Sequence, residues 1–569
     1  MNTIVVGQED SLATKLTSTN TMYVLSGNHN LDSSKIIIPK GCVLKFDYGS
    51  KITNGTLTLN NTVLEGAKHC IATEVCGVQD ELDTDFFDLT LKNKTTIMQS
   101  IVDTANTIQL HGRLENVFNN IKIGNKPTTL IGNGASVVNT LNTIVTAITI
   151  TSNTFVRIVD LDFNISSGYA IYKDVAPTTI TMLSFMIDRC NFVSSGGSST
   201  AIIQLLSSRE GNITNCFFKG SGINGCIGLK RKNAVNTNVI GCMFSDLSYG
   251  IYAFAERTNE EEQSELYSSY ACGLNVQSAV MLGCKFGIYI EGNDSFFLNN
   301  SMIDYCNNPL FIYSQDGANI TNNYFSTSEG SSVYNATITI RNNGSKTPAN
   351  RNKRIIISEN TIYGHRTTNN YGIEMDVESE DCIIQGNTFD YFTGHGICLR
   401  HLFTNSSWTI EKLVIDNNRF HFANANADGI GGYNFTGDCN VIISNNYAAE
   451  GSDTKLLSAG SANYGNYLFF GNHVRLASTP SGSEGVKIYN ASQRNHTRLK
   501  IDLLLPESVN QLEIVNPMNG DTNIVVQVAN NRYPVCVYNI CPDKIKFNRV
   551  TSNTDAIAFT AIIEHLFNL

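Results

Sequence analysis

The chain has 569 residues and a formal net charge of −10, with 42% hydrophobic and 16% charged residues. This length allows one large domain with appendages and a sizeable core. The acidic balance excludes nucleic acid as an expected partner, since the longest basic run is Lys230-Arg231-Lys232. The 44 glycines and the frequent asparagines indicate β structure with many tight turns, because both residues accept left-handed backbone angles.

No stretch approaches the roughly 20 apolar residues of a membrane span. The first residues, MNTIVVGQEDSLATKL, lack the basic and apolar regions of a signal peptide. We therefore expect neither membrane insertion nor an export leader. The 15 cysteines are then expected to be reduced thiols. No Cys/His cluster has zinc spacing, so we expect no metal and no cofactor.

The N-terminal part precedes the repeats. Residues 1–76 show turns and short strands and form a β-rich segment, which could serve for attachment or as the first coils. Residues 77–155 contain a predicted amphipathic helix in TTIMQSIVDTA, followed by strand-like stretches. The apolar face of this helix consists of Ile97, Met98, Ile101, Val102 and Ala105. Such a helix can cover the open end of a solenoid, which otherwise exposes an unpaired strand edge.

Residues 156–476 repeat a short motif: an apolar residue, two variable positions, Asn or Cys, one variable position and an apolar residue. Examples are IDRCNF (187–192), ITNNYF (320–325), IQGNTF (384–389) and IDNNRF (415–420), and most copies follow one another after 26–31 residues. No amphipathic helix separates the copies, so each unit holds two or three short strands stacked on its neighbours. This pattern predicts an all-β fold, a parallel β-helix.

The conserved spacing predicts two columns of small polar side chains at one turn of the coils. Asparagines in successive coils can bond to the Asn above and below and so satisfy buried amides. Cys190, Cys216, Cys242 and Cys284 are expected to share one column as packed thiols without a redox or catalytic role. Two interruptions of the repeat, 255–275 and 329–353, are predicted loops that could wall a binding groove.

A second element follows the motif: Gly-Ile and then an alternating stretch. It reads GIYAF (250–254), GIYIE (287–291), GIEMD (372–376), GICLR (396–400) and GIGGY (429–433). The triplet Gly394-His395-Gly396 has the letters of a polygalacturonase site, but the paired aspartates and the Arg-Ile-Lys of that site are missing. We interpret Gly396 as the start of a repeat strand. Residues 477–569 are alternating β without the repeat and are predicted to form a C-terminal β-domain for oligomerisation.

The stretch DTDFFDLTLKNKTTIMQSIVDTANTIQLHG, followed by TTLIGNGASVV, resembles the entry of pectate-lyase-superfamily proteins over about residues 83–138. This resemblance implies a right-handed parallel β-helix. The superfamily contains lyases, hydrolases, epimerases and bacteriophage tailspikes. The expected lack of an export leader and the extra C-terminal β-domain favour the tailspikes, which are made in the host cytoplasm and trimerise. An alternative localisation is secretion or the surface of a bacterium.

Strand faces alternate, so in each Gly-Ile strand the Ile points inward and the next residue outward. The predicted outward row carries flat rings and polar groups suited to an oligosaccharide. Its candidate substrate-binding residues are Tyr252, Tyr289, Phe311, Tyr313, His395, Arg400, His401 and Tyr433. The candidate catalytic residues are Glu374, Asp376 and Glu291. Glu374 and Asp376 are the first pair, one as general acid and one as base, because alternate strand residues stand roughly 6.5–7 Å apart.

The sequence therefore predicts a tailspike-like or tail-fibre-like virion protein that binds, and as a depolymerase cleaves, a bacterial surface polysaccharide. Its expected partners are that polysaccharide, two further copies of the chain in a homotrimer, and other tail proteins. A glycoside hydrolase is favoured over a lyase. Two alternatives stay open: a non-catalytic virion protein or adhesin, and a bacterial polysaccharide hydrolase or lyase.

Overall fold

The structure, a computed structural model, divides into two compact units, Met1–Tyr252 and Ala253–Leu569. Each unit is described by itself. The described residues are 1–141, 143–151, 154–173, 185–197, 199–206, 208, 210–255, 272–292, 294–313, 315–328, 336–342, 352–364, 371–376, 379–400, 412–422, 428–433, 441–449, 455–459, 467–475, 497–505, 511–515, 522–528, 535–540, 544–549 and 557–565. The sequence-based boundaries at residues 76, 155 and 476 stay predictions.

The elements up to the boundary between the units are mostly short strands. They are β1 (Asn2–Val6), α1 (Leu12–Lys15), β2 (Thr21–Leu25), β3 (Asn28–Asn30), β4 (Lys35–Ile37), β5 (Val43–Phe46), β6 (Lys51–Asn60), β7 (Val63–Gly66), β8 (Ile71–Asp83), a 3₁₀ turn (Thr84–Phe86), α2 (Lys94–Thr104), β9 (Ala105–Gln109), β10 (Arg113–Glu115), β11 (Ile121–Ile123), β12 (Thr128–Ile131), β13 (Ser136–Asn139), β14 (Val145–Ile150), β15 (Val156–Val159), β16 (Asp162–Ile165), β17 (Gly168–Lys173), β18 (Phe185–Asp188), β19 (Asn191–Ser194), β20 (Ala201–Leu206), β21 (Gly211–Thr214), β22 (Phe217–Lys219), β23 (Ile227–Lys232), β24 (Thr237–Ile240), β25 (Met243–Ser245) and β26 (Tyr249–Phe254), which contains the boundary.

The elements of the second unit are all strands. They are β27 (Cys272–Gln277), β28 (Val280–Leu282), β29 (Phe286–Glu291), β30 (Asp294–Asn299), β31 (Met302–Cys306), β32 (Asn308–Tyr313), β33 (Asp316–Thr321), β34 (Tyr324–Thr327), β35 (Ala336–Arg341), β36 (Lys353–Ser358), β37 (Thr361–Tyr363), β38 (Tyr371–Asp376), β39 (Cys382–Gln385), β40 (Thr388–Phe392), β41 (His395–Arg400), β42 (Leu413–Asp416), β43 (Arg419–Phe422), β44 (Asp428–Tyr433), β45 (Val441–Ser444), β46 (Tyr447–Ala449), β47 (Lys455–Ala459), β48 (Tyr467–Arg475), β49 (Thr497–Leu505), β50 (Gln511–Val515), β51 (Thr522–Val528), β52 (Val535–Ile540), β53 (Lys544–Arg549) and β54 (Ile557–His565).

Both units contain parallel coils of three strands, and the predicted parallel β-helix is confirmed. In the first unit, strands β12, β15, β18, β21 and β24 form one parallel row, and β14, β17, β20 and β23 form another. Each strand thus pairs with the strand three places further along the chain. This connectivity follows from the repeat, because one motif supplies the same strand in each successive coil.

The predicted amphipathic helix is confirmed as α2, which buries Ile97, Met98, Ile101 and Val102. It packs against β8, β9 and β11. Parallel strands both precede and follow it, since β6 pairs with β8 and β8 pairs with β9. Parallel strand pairing therefore begins before the helix, in short strands such as β5 and β7 that lack the Asn motif.

Aromatic side chains stack in the core of the first unit. The rings of Phe163, Phe192, Phe218 and Phe244 lie 4.6–4.9 Å apart, centroid to centroid, in near-parallel planes. This distance matches the spacing of neighbouring strands, so each coil adds one ring to a continuous stack. At the preceding turn, Cys190, Cys216 and Cys242 form the predicted column, and each thiol donates to a backbone carbonyl of the coil before.

One buried lysine lies in this core. Lys173 is 1% exposed and shares an inward column with Ile150 and Leu205. Burial lowers its pKa from 10.5 to about 8. Below pH 8 the folded chain must keep an ammonium group in an apolar column, which costs about 3 kcal/mol at about 1.4 kcal/mol per pKa unit.

The pH dependence of stability follows from this burial. Between pH 8 and 10.5 the unfolded chain binds the Lys173 proton and the folded chain does not, so stability rises with pH through this window. We expect Lys173→Met to raise the melting temperature at pH 7 and to remove that rise. The exposed Lys219, changed to Met, is the control and should leave the pH profile of the melting temperature unchanged. A Lys173→Met protein that melts lower at pH 7 would contradict this assignment.

The predicted asparagine ladder is confirmed in the second unit. Asn323, Asn360, Asn387, Asn418, Asn446 and Asn472 are at most 3% exposed. From Asn323 to Asn446, each backbone N–H and side-chain amide donates to the Oδ1 of the Asn in the next coil at 2.9–3.0 Å. The side-chain amide also donates to an isoleucine or leucine carbonyl of the preceding coil. The ladder therefore pairs the buried polar groups of a tight turn.

Cys284 does not belong to the predicted cysteine column. The register pairs Val280 with Met302 and Met302 with Tyr324, so the residue that aligns with Ser301 and Asn323 is Ala279. The stretch MLGCKF resembles the motif by chance, because Met281 and Phe286 have its apolar spacing. The true copy in this coil lies five residues earlier in the chain. The twelve cysteines from Cys42 to Cys398 are all free thiols.

Strand direction changes in the last part of the second unit. β48 pairs in parallel with β49, whereas β49 and β51 both pair antiparallel with β54. β50, β52 and β53 form a separate antiparallel sheet. The C-terminal strands thus leave the coil pattern, as the end of the repeat predicted. Among the helices of the described residues, none has the length and apolar character needed to cross a membrane.

Candidate functional site

The predicted outward row lies on one parallel sheet of the second unit, which we call row 3. It consists of strands β29, β32, β35, β38, β41, β44 and β47. The alternate residues Ile288, Leu310, Ile338, Ile373 and Ile397 are fully buried in the core and stand in register. Their neighbours along each strand therefore project from the opposite, outer face.

Two columns of outer side chains run across row 3. One contains Tyr289, Phe311, Thr339, Glu374 and Cys398 in successive strands. The rings of Tyr289 and Phe311 stack at 4.7 Å with an interplanar angle of 11°. The aromatic rings and the first candidate carboxylate are thus aligned along one line, as the outward row predicted.

The other column lies two residues further along each strand. Glu291 stands beside Tyr313, and Tyr313 stands beside Arg341. Asp376 stands beside Arg400 in the next strand pair. Continuing the register of Ile340 with Met375 by one residue places Arg341 opposite Asp376. Asp376 therefore stands in register between two arginines of the same column.

One strand of this face lies in a segment predicted to be a loop. β35 (Ala336–Arg341) falls inside the predicted loop 329–353, and β27 likewise occupies the end of the predicted loop 255–275. The missed strand lies between β32 and β38 and contributes Thr339 and Arg341. Its sequence ATITIR has the same alternation of isoleucines as the other strands but lacks their leading Gly-Ile. Period-two alternation alone would have identified it.

Glu374 and Asp376 are both buried, each 1% exposed. The Nη2 atom of Arg341 donates a hydrogen bond to Oε1 of Glu374 at 2.7 Å. A carboxylate removed from water requires such a counter-charge, because desolvation is otherwise costly. Arg341 stands opposite Asp376, and its long side chain extends diagonally to Glu374, two residues earlier on the neighbouring strand. The two acids predicted to face outward as a pair are thus buried, with Arg341 against Glu374.

This ion pair predicts a large stability effect. In Arg341→Met, the buried Glu374 side chain loses its guanidinium partner, so we expect the free energy of unfolding to fall by about 3 kcal/mol. A double variant that also carries Glu374→Gln should recover part of the loss, and the difference gives the coupling energy. Denaturant titrations of the four proteins measure it.

A solvent-exposed ion pair provides the control. Arg354 contacts Asp316 at 2.6 Å, but its side chain is 67% exposed. Arg354→Met should therefore cost less than about 1 kcal/mol. Equal losses for Arg341→Met and Arg354→Met would show that burial does not strengthen the Arg341 interaction.

The Gly-His-Gly segment is confirmed as the start of strand β41. A Cβ atom on Gly396 would lie 2.5 Å from the Phe420 ring, so only glycine fits this close approach. His395 is 9% exposed, and its ring stacks on Tyr371 of the neighbouring strand at 5.4 Å and 7°. The histidine therefore packs within row 3, one strand away from Glu374.

The remaining candidates are more distant or only partly described. Glu291 is separated from Asp376 by three strand steps, about 14 Å at the usual strand spacing. Tyr252 lies in the first unit, where it stacks on Tyr249 at 5.0 Å. For Arg400 in β41 and Tyr433 in β44, the structure describes the backbone but not the side chain. His401 lies outside the described residues.

One group in the first unit has metal-ligand chemistry. Asp83, Asp85 and His111 bring one ligand atom each to within 4.8 Å of the others. These groups also pair with ordinary partners, since His111 Nε2 is 3.3 Å from Asp83 and the Lys68 ammonium contacts Asp85. We assign no ion to them.

Comparisons with known proteins gave only distant similarities. No family model and no curated protein matches the chain. A mutant tailspike protein of E. coli bacteriophage HK620, solved with a pentasaccharide, is 10% identical, with 93% of this chain and 87% of that chain covered and a TM-score of 0.42. A mutant of the periplasmic alginate epimerase AlgG is 12% identical, with 59% and 74% covered and a TM-score of 0.35. At these values no functional argument is built on either protein.

Proposed function

We propose that this protein binds a bacterial surface polysaccharide along row 3 of its second unit and hydrolyses it as a tailspike-like depolymerase. The observation that carries the proposal is the alignment of Tyr289 and Phe311 in one column with Glu374, beside the acid pair and Arg341. Tyr289 is half-buried and can offer its exposed part to a sugar ring, while Phe311, which is 2% exposed, holds that ring in place by stacking.

The acid pair has the spacing needed for direct hydrolysis. Glu374 and Asp376 are alternate residues of one strand and stand roughly 6.5–7 Å apart. Inverting glycosidases hold their carboxyl groups roughly 6.5–9.5 Å apart, which leaves room for the attacking water. We assign Glu374, whose carboxylate is oriented by Arg341, as the base that activates water. Asp376 is the acid that protonates the leaving oxygen.

A non-catalytic adhesin or structural virion protein is the second candidate. It is favoured by the burial of both carboxylates, each 1% exposed, since a buried Glu374–Arg341 pair can serve the fold alone. In this case the stacked rings of row 3 would bind glycan without cleaving it. The antiparallel C-terminal strands fit an assembly role in both cases, and we propose a homotrimer, to be measured by light scattering coupled to size-exclusion chromatography.

The test is incubation of the purified protein with capsular and lipopolysaccharide extracts. New reducing ends without ultraviolet absorbance would show hydrolysis, and inversion at the anomeric carbon of the first product, read by NMR, would agree with the carboxylate spacing. Absorbance of unsaturated uronates would instead indicate a lyase. Binding to an extract without any cleavage would favour the adhesin.

A further inference from the structure

The second unit has another outer face that row 3 does not use. The strands β28, β31, β34, β37, β40, β43 and β46, which follow the asparagine ladder in each coil, form row 2. Their outer face carries five tyrosines, which we call the tyrosine face: Tyr305, Tyr324, Tyr363, Tyr391 and Tyr447. Tyr305 is 62% exposed and Tyr391 is 37% exposed, unlike the buried acids of row 3.

Two of these tyrosines are held in an unusual backbone conformation. Tyr305 and Tyr391 have φ angles of 51° and 62°, a region that bulky side chains rarely adopt. Both lie where the register shifts, between Ile303 and Cys306 and between Asp390 and Phe392. Bulges of this kind redirect a side chain, and strained residues persist where the surrounding structure over-determines them. The fold thus turns two rings outward at equivalent places in different coils.

The rings stand beside polar groups on the same face. Tyr391 packs against Tyr363 with centroids 5.0 Å apart. Asp390 accepts from Nδ1 of His421 in the next strand at 2.8 Å, which orients the imidazole beside this pair. The neighbouring column places Arg419 over the ring of Tyr447 at 5.8 Å. Aromatic faces and oriented hydrogen-bonding groups therefore alternate over several coils.

A groove of about 580 Å³ adjoins the tyrosine face, a volume within the range of small-ligand sites. Tyr324 lines it together with Met302, and the turn residues Asn300 and Asn322 contribute exposed amides. Glu359 also lines this groove, so one carboxylate stands among mostly neutral groups. Burial and the nearby Asp304 carboxylate raise the pKa of Tyr324, so its hydroxyl stays a neutral donor and acceptor.

We propose that the tyrosine face and its groove are a second glycan-binding surface, which holds a neutral oligosaccharide segment away from the Glu374 site. The chemistry favours a glycan over a protein partner, because the exposed groups are tyrosines and amides, and Asp390 and Asp304 are bonded to His421 and Ser326 on the same face. Rigid aromatic rings with polar edges supply large contact areas at low entropic cost. The inference rests on the proposed function only in that the ligand is a glycan.

The test uses an array of purified bacterial O-antigen and capsular polysaccharides. The double variant Tyr363→Ala/Tyr391→Ala should weaken binding to long chains at least about tenfold. Tyr363→Phe/Tyr391→Phe keeps the rings and should stay within about threefold of the parent. Tyr48→Ala in the first unit, where the ring is fully exposed, is the matched control and should bind like the parent.

The outcomes separate this inference from the proposed function. Asp376→Asn should abolish cleavage and keep binding at the tyrosine face, whereas the alanine pair should keep cleavage of short oligosaccharides. Alanine variants that bind long chains like the parent overturn the second surface alone. A parent protein that binds no glycan on the array overturns the proposed function and the second surface together. If the alanine pair does not fold, Tyr305→Ala is tested for binding to long chains instead, because it removes the most exposed ring of the tyrosine face.

Discussion

Glu374→Gln and Asp376→Asn are expected to lower the rate of polysaccharide cleavage at least about 100-fold each, because each removes one of the two proton-transfer groups. Binding of the polymer should change little, since both substitutions keep the size and shape of the side chain. The rates are measured as new reducing ends per time on the polysaccharide that the parent protein degrades. The double variant should lose hardly more than either single one, because the two groups act in one step.

Glu291→Gln is the matched control for this pair. Glu291 lies in the same outer column but about 14 Å from Asp376, too far to share a glycosidic bond with it. We expect its cleavage rate to stay within a few-fold of the parent. Loss of activity in Glu291→Gln, with activity retained in Asp376→Asn, would move the catalytic centre to the other end of row 3.

Asn418→Ala is expected to lower the free energy of unfolding by about 3–5 kcal/mol. The Asn418 side chain accepts from the backbone and side-chain nitrogens of Asn387 and donates to Ile384 and Asn446. Its removal leaves several buried polar groups without these bonds, and none of them can reach water. Denaturant unfolding followed by fluorescence or circular dichroism measures the loss.

The adjacent residue provides a control in the same turn. Asn417 is exposed and has a φ angle of 53°, which glycine adopts freely. Asn417→Gly should therefore change the free energy of unfolding by less than about 1 kcal/mol. If Asn418→Ala costs no more than Asn417→Gly, the ladder is not a source of stability and the repeat is held by its apolar columns alone.

The coil architecture could be predicted because one short motif determines both the strand and the turn of every coil. The spacing of the asparagines indicated their ladder, and the Gly-Ile strands indicated which residues share an outer column. The error at Cys284 shows the limit of this reasoning. Where Met281 and Phe286 imitate the apolar spacing, only the hydrogen-bonded register distinguishes the true turn residue, Ala279.

The candidate site was harder to predict than the fold, for two physical reasons. The role of Arg341 could not be predicted, because its strand lacks the Gly-Ile start and its segment resembles a loop. This strand places the guanidinium against Glu374. The burial of Glu374 and Asp376 could not be predicted either, because strand alternation carries no information about exposure. Alternation shows which way a side chain points, whereas exposure requires the packed structure.

The most direct test of row 3 as the glycan site is a crystal structure of the Asp376→Asn variant with an oligosaccharide from the polysaccharide that the parent protein binds. We expect a sugar ring against Tyr289, with the bond to be cleaved next to Glu374 and Arg341. An oligosaccharide bound only at the tyrosine face, or elsewhere on the chain with row 3 empty, would contradict the account.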